Sequence, residues 1–251
     1  MFGGATCFAP PGTSGLSELE ADDYGVDMKK LVLVYMLSMS SLAWAQSAPP
    51  LGSAQSFAVL GASTVTNTGP TIITGDLGVS PGTAVTGFPP GSVTGGTVHA
   101  GDATATAAQA AAHTAYGNLV AQPCGTNLTG KTLGTSPGAV ELSPGVYCFD
   151  STAQLTGTLT LKGAGVYVFK IGSGLTTASN SSVVLANGAT AAKVFWQVTS
   201  SATLGTKTTF EGNIFANISD TLTNGASVTG RVFALTGGVT LSGNRIRAAS
   251  R

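Results

Sequence analysis

Phe210-Glu211-Gly212-Asn213-Ile214-Phe215-Ala216 returns 18 residues later as Val228-Thr229-Gly230-Arg231-Val232-Phe233-Ala234. Ile246 stands a further 18 residues beyond Val228, and Leu204 and Leu222 are separated by the same interval. A related unit opens earlier in the chain as Ile73-Thr74-Gly75-Asp76-Leu77 and comes back as Val93-Thr94-Gly95-Gly96-Thr97. Apolar residues alternate with polar ones in these stretches and glycine interrupts them. Repeats this short and of this texture read as coils of a β-solenoid, each coil burying its edge against the next. Phe210, Val228 and Ile246, joined by Ile73 and Val93, are the expected inward row. The intervening glycines permit corners that a Cβ would strain. A β-sandwich is the competing architecture; the fixed period and a scarcity of large core residues favour the solenoid.

Composition agrees with a folded, nearly uncharged object. The chain has 251 residues, 35 of them glycine, with 43% hydrophobic and only 9% charged residues. Disordered chains combine low hydrophobicity with high net charge, the opposite balance. Eleven basic and eleven acidic residues supply no basic stripe for nucleic acid and no polybasic patch for anionic lipid. Neutral partners are therefore expected.

One segment departs from the strand pattern. Residues 102–122 read as an alanine-rich helix, with Asp102 as N-cap and Pro123 as the stop. Tyr116, Leu119 and Val120 lie three to four residues apart and are expected to share its packed face, whereas Gln109 is expected on the water side. The helix should lie along the solenoid. Cys124 and Cys148 bracket the loop and hairpin expected next, a cap region over residues 123–150.

The first 45 residues are read as lying outside the fold. Lys29 and Lys30 precede the apolar run Leu31 to Leu42, and Ala43-Trp44-Ala45 sets alanine at the −3 and −1 positions of a signal-peptidase site. The run is shorter than the ~20 residues that span a bilayer. Residues 28–45 are thus expected to be a secretory signal peptide, and the acidic stretch 1–27 a start codon assigned too early. A single domain, 46–251, remains. Cys7 falls outside it, and in an oxidising compartment Cys124 and Cys148 are expected to form a disulfide.

Catalytic chemistry finds little material. The acids of the mature chain are Asp76, Asp102, Glu141, Asp150, Glu211 and Asp220, and no two share a local motif. A polysaccharide lyase or hydrolase on a β-helix needs such groups clustered in a groove. His99 and His113 are fourteen residues apart and lack the spacing of a helical zinc pair. No catalytic residue, metal or cofactor is expected.

Longer motifs carry a family resemblance. Ser63-Thr64-Val65-Thr66-Asn67-Thr68-Gly69-Pro70-Thr71, then Gly75-Asp76-Leu77-Gly78-Val79-Ser80-Pro81-Gly82 and Thr86-Gly87-Phe88-Pro89-Pro90-Gly91, closely resemble the opening of microbial ice-binding proteins, the DUF3494-type antifreeze proteins. The likeness resumes at His99-Ala100-Gly101-Asp102-Ala103, Leu142-Ser143-Pro144-Gly145-Val146-Tyr147-Cys148 and Val194-Phe195-Trp196-Gln197-Val198, and runs from about Leu51 to Ile246. It implies a mainly β fold: a right-handed, discontinuous β-solenoid, roughly triangular in section, with one long α-helix alongside and ice bound by another side. Members often carry a cysteine pair in the cap region. Substrate and cofactor are absent from that picture. The implied partner is an ice crystal surface, with neither nucleic acid nor membrane, for a secreted, monomeric protein that restrains ice growth and recrystallisation. A cell-surface adhesin or matrix spacer on the same solenoid is the alternative; the chain's last residues, Arg247 to Arg251, show no apolar tail or sorting signal that would anchor one.

The family's loose motif, Thr, then Ala or Gly, then any residue, then Thr or Asn, appears as Thr177-Ala178-Ser179-Asn180. It degrades to Thr206-Lys207-Thr208-Thr209, Asn224-Gly225-Ala226-Ser227 and Ser242-Gly243-Asn244-Arg245. Alternation about the inward row places Thr74, Ser92, Thr94, Thr209, Ser227 and Thr229 outward on one side. With Thr177, Asn180, Thr206 and Asn224 these are the expected ice-facing residues.

Overall fold

The computed structural model describes residues 46–249; the expected leader (28–45), the extension before it (1–27) and the last two residues lie outside them. The described chain winds as a three-sided stack of parallel strands. One side is a sheet of eight strands, from Ala84–Thr86 through Thr64–Thr68, Val239–Ser242, Asp220–Leu222, Ala202–Leu204, Leu175–Thr177 and Ala153–Leu155 to Thr132–Leu133. A second side contains Ser92–Thr94, Ile72–Thr74, Arg245–Arg247, the first halves of Ser227–Ala234 and Thr209–Ala216, then Ser182–Ala186, Thr158–Lys162 and Glu141–Leu142. The second halves of those two long strands belong to a third side, with Val98–Ala100, Asp76–Val79 and Phe57–Gly61 beyond one end and Val194–Val198, Tyr167–Ile171 and Gly145–Phe149 beyond the other.

The stack is discontinuous in sequence. Phe57–Gly61 lies between Ser227–Ala234 and Asp76–Val79, so the first described strand inserts beside one of the last. Val239–Ser242 and Arg245–Arg247 complete that same coil on the other two sides. Both ends of the described chain therefore build one coil in the interior of the stack.

The expected inward row forms in register: Phe210 pairs with Val228, Val228 with Ile246, Ile246 with Ile73 and Ile73 with Val93. All but Val93 are buried. The expectation of few large core residues is corrected, because Tyr147, Phe169, Trp196 and Phe210 stack along the axis with successive ring-centroid separations of 5.5, 3.9 and 4.8 Å. A parallel stack repeats a residue type at each coil, and aromatic rings gain from offset contact at such spacings.

The helix spans Ala103–Val120, with Asp102 as N-cap accepting from the Ala105 amide. That amide, and after it the His99 ring, hold the Asp102 carboxyl below the usual carboxylate range. The packed face differs from expectation. It consists of Ala105, Ala108, Gln109, Ala112, Ala115 and Leu119, whereas Val120 is 46% exposed. Alanine's short side chain lets the helix close on Phe57, Phe195, Phe215 and Phe233, which project outward from the third side. Gln109, expected in water, is 6% exposed and donates to the carbonyls of Ala234 and Leu235. At the other helix end Lys170 Nζ donates to the carbonyls of Val120 and Gln122, a cation where the macrodipole favours one.

After the helix the chain forms no hairpin. Thr126–Asn127 and Thr132–Leu133 pair in parallel with the next coil, and Leu128, Leu133 and Ala139 close the core at this end. The Cys124–Cys148 disulfide is present, with a Cα–Cα distance of 5.9 Å. It ties the segment to Gly145–Phe149 across a sequence separation of 24, for which loop-closure entropy gives about 3 kcal/mol. Replacing both cysteines by serine is expected to lower unfolding free energy by that order in urea melts, with protection from hydrogen exchange lost first around residues 124–140.

Candidate functional site

The eight-stranded sheet directs alternate side chains outward, as strand periodicity requires. Register aligns one outward position from each strand: Thr132, Gln154, Thr176, Thr203, Thr221, Thr240, Thr66 and Thr86. Seven of these eight residues are threonine. Neighbouring strands of a sheet are about 4.8 Å apart, so the row is a ruler of hydroxyl and methyl groups at that interval. Flanking positions include Thr64 and Ala84 on one side and Thr68 and Ser242 on the other. No outward residue of these strands is charged, since their single acid, Asp220, points into the core. Among the row's hydroxyls one contact is within reach, Thr66 Oγ1 donating to Thr240 Oγ1 at 3.5 Å. Most hydroxyls are therefore left for solvent.

The second side is different in character. Thr74, Ser92, Thr94, Thr209, Ser227 and Thr229 do point outward there together, as alternation predicts. Thr209 aligns with Ser227, and Thr74 with Thr94, their hydroxyls 3.3 Å apart. The rows they belong to are interrupted. Arg245 and Ile72 stand between Ser227 and Ser92, and Arg247 stands between Thr229 and Thr74. Glu211 is beside Thr229, its carboxyl raised by burial and lowered in part by the Thr229 hydroxyl, and the pair Lys162–Glu141 closes the far end at 3.1 Å. Each charge keeps a hydration shell that a flat contact would have to strip.

Asn180, Thr206 and Asn224 lie on the turns joining these two sides. Asn180 and Lys207 take left-handed backbone, with φ of 59° and 56°. Thr177 is a correction. It is 3% exposed, its hydroxyl lies 2.8 Å from that of Thr208, and it accepts from the Gly205 amide, so it holds the corner from within and does not reach the surface.

The threonine row does not fall on the family's loose motif. Its signal is present as Ala202-Thr203-Leu204, Asp220-Thr221-Leu222 and Val239-Thr240-Leu241, and as Thr64-Val65-Thr66-Asn67-Thr68. Each triplet has threonine between two inward residues. What sequence lacks is the stacking order, because Thr66 and Thr86 sit next to Thr240 only through the chain's return.

The described residues thus form a three-sided β-solenoid with a charge-free threonine array on one side. Residues 59–247 match the Ice-binding-like family, and the chain belongs to that family. It is 49% identical over 224 residues to the ice-binding protein of Nostoc sp. (strain HG1), covering 87% of this chain and 81% of that one. Its fold is similar to the crystal structure of an ice-binding protein from an Antarctic biological consortium, with TM-score 0.77 and 40% identity over 82% of this chain and 93% of that one. The ice-binding protein of the Antarctic ascomycete Antarctomyces psychrotrophicus gives TM-score 0.75 and 37% identity over 82% of this chain and all of that one.

Proposed function

We propose that this chain is a secreted antifreeze protein that adsorbs to ice through its eight-stranded threonine face, acting as a monomer without cofactor or catalysis. The observation that supports this most directly is the uncharged row from Thr132 to Thr86, one residue per coil. Threonine is stiff at χ1 because of its branched Cβ, so the row is ordered before ice arrives and loses little entropy on contact. Its methyl groups order adjacent water and its hydroxyls anchor it, giving a hydration layer that can merge with the crystal. Adsorbed molecules then oblige ice to grow between them as curved fronts, which opposes both growth and recrystallisation.

The deciding experiment uses fluorescently labelled protein and a single ice crystal grown slowly in its solution. Incorporation at defined crystal planes and faceted growth in a cooled drop support the reading; round discs and exclusion of label support a spacer or adhesin. Mass spectrometry of native culture supernatant tests the secreted form, whose first residue is expected at or within a few positions of Gln46. Peptides from residues 1–27 in the medium would refute that assignment.

A further inference from the structure

Beneath the threonine row runs an inward row in register: Ala153, Leu175, Ala202, Asp220, Val239 and Val65. One carboxylic acid interrupts a column of aliphatic residues. Asp220 is 0% exposed, and neither carboxyl oxygen has a hydrogen-bond partner. Its backbone is satisfied, the amide donating to the Gly238 carbonyl. Ala202 and Val239 flank it along the stack, and across the corner the strand Ser227–Ala234 turns Val232 and Ala234 into the same core. The charged residues of the packed elements point elsewhere: Arg231 donates to Gln55 and Ala249 carbonyls and to Asn213, and Glu211 is on the second side beside Thr229.

A carboxylate without donors in such a setting is far costlier than the neutral acid. We propose that Asp220 is a pH-sensitive latch of the threonine face, which keeps its plane only while this carboxyl carries a proton. The strand Asp220–Leu222 is the fourth of the eight in the sheet, and the next residue, Thr221, stands in the middle of the outward row. Any opening that admits water to an ionised Asp220 must displace that strand, and with it the centre of the contact plane.

Burial raises the Asp220 carboxyl well above the ordinary aspartate value. For an acid raised in the folded state, the folded form binds the extra proton. Stability is then complete below the unfolded value near ~3.9 and declines as pH rises toward the folded value, by up to about tenfold in the folding constant per pH unit. Asp220 should thus leave stability complete in acid and withdraw progressively more of it as pH rises.

The test compares wild type with Asp220→Asn and, because an amide also leaves polar atoms unpaired, with Asp220→Val, which continues the valine pair Val239 and Val65. Urea melts and ice shaping are followed from pH 3 to pH 10. Titration of Tyr147, Tyr167 and Lys170 is common to all three proteins and cancels in the ratio. The expected result is a wild-type folding constant that falls relative to the variants by up to about tenfold per pH unit above pH ~4, with ice shaping lost by wild type as pH rises across that range and retained by the variant that folds. Parallel pH curves, or divergent melts with unchanged wild-type ice shaping, would overturn the latch. The activity arm rests on the proposed ice-binding role, but the melts do not. Ice shaping absent from every protein at every pH would refute that role, and the melts would then read Asp220 alone.

Discussion

Thr221→Tyr is expected to remove nearly all ice shaping and thermal hysteresis, whereas Thr209→Tyr leaves both close to wild type. Thr221 is at the middle of an uninterrupted run, with Thr203 on one side and Thr240 on the other. A phenol ring there stands above the plane and holds the neighbouring threonines away from the crystal. Because adsorption sums many weak contacts that must form together, one raised residue costs far more than its own share. Thr209 also faces outward, but its side of the stack already carries Glu211, Arg245 and Arg247. Both substitutions occupy outward strand positions, where an aromatic residue is tolerated, and stability should remain within about 0.5 kcal/mol. Gln154 supplies the opposite test. It is the one long side chain in the row, between Thr132 and Thr176, so Gln154→Thr should extend the plane and raise activity. If Thr209→Tyr were inactive and Thr221→Tyr fully active, the contact surface would be the second side and the threonine row a consequence of strand propensity.

The contrast between those two sides also explains what a linear reading reaches. The 18-residue repeat, the inward row from Phe210 to Val93 and the capped helix after Asp102 are local or periodic features, and each is written in a short stretch of residues. Gln109 and Val120 exchange expected positions because the helix seats against phenylalanines that only alanine lets it approach, and backbone carbonyls on that side take up the Gln109 amide. Thr177 was drawn to the surface by a motif whose first threonine is spent here on bonding Thr208 and Gly205 within the corner. Thr66 and Thr86 join the row through a pairing between the two ends of the domain. Residues so far apart carry no periodic sign of their adjacency. The charges that interrupt the second side, Arg245 and Arg247 among them, become neighbours of Thr229, Ser227 and Thr74 by stacking alone.

That joining of the two ends is braced by a buried side chain whose removal should be strongly destabilising. Arg231 occupies the repeat position one coil from Asn213, 18 residues away, and is 3% exposed. Its guanidinium donates to the Gln55 carbonyl through Nε and Nη2, to Asn213 Oδ1 through Nη1 and to the Ala249 carbonyl through Nη2. Asn213 in turn donates to the carbonyls of Ala191 and Val194. Gln55 lies just before the first strand and Ala249 just after the last, so one planar cation on the adjoining coil, in Ser227–Ala234, holds both ends of the coil they share. Arg231→Met retains much of the aliphatic stem but leaves buried carbonyls and an amide oxygen without a donor. Hydrogen bonds to a charged group contribute roughly 1.5–3 kcal/mol each. A loss of about 3 kcal/mol or more is therefore expected in urea melts, against a change within ~0.5 kcal/mol for Arg245→Met on the exposed second side. Hydrogen exchange should accelerate first in Phe57–Gly61 and Arg245–Arg247, the strands nearest the clamp. Because Thr240 belongs to the same coil, ice activity should decline at temperatures below the global melt. An Arg231→Met protein as stable as wild type, with unchanged exchange in those strands, would mean that the ends are held by strand pairing and core burial without the guanidinium.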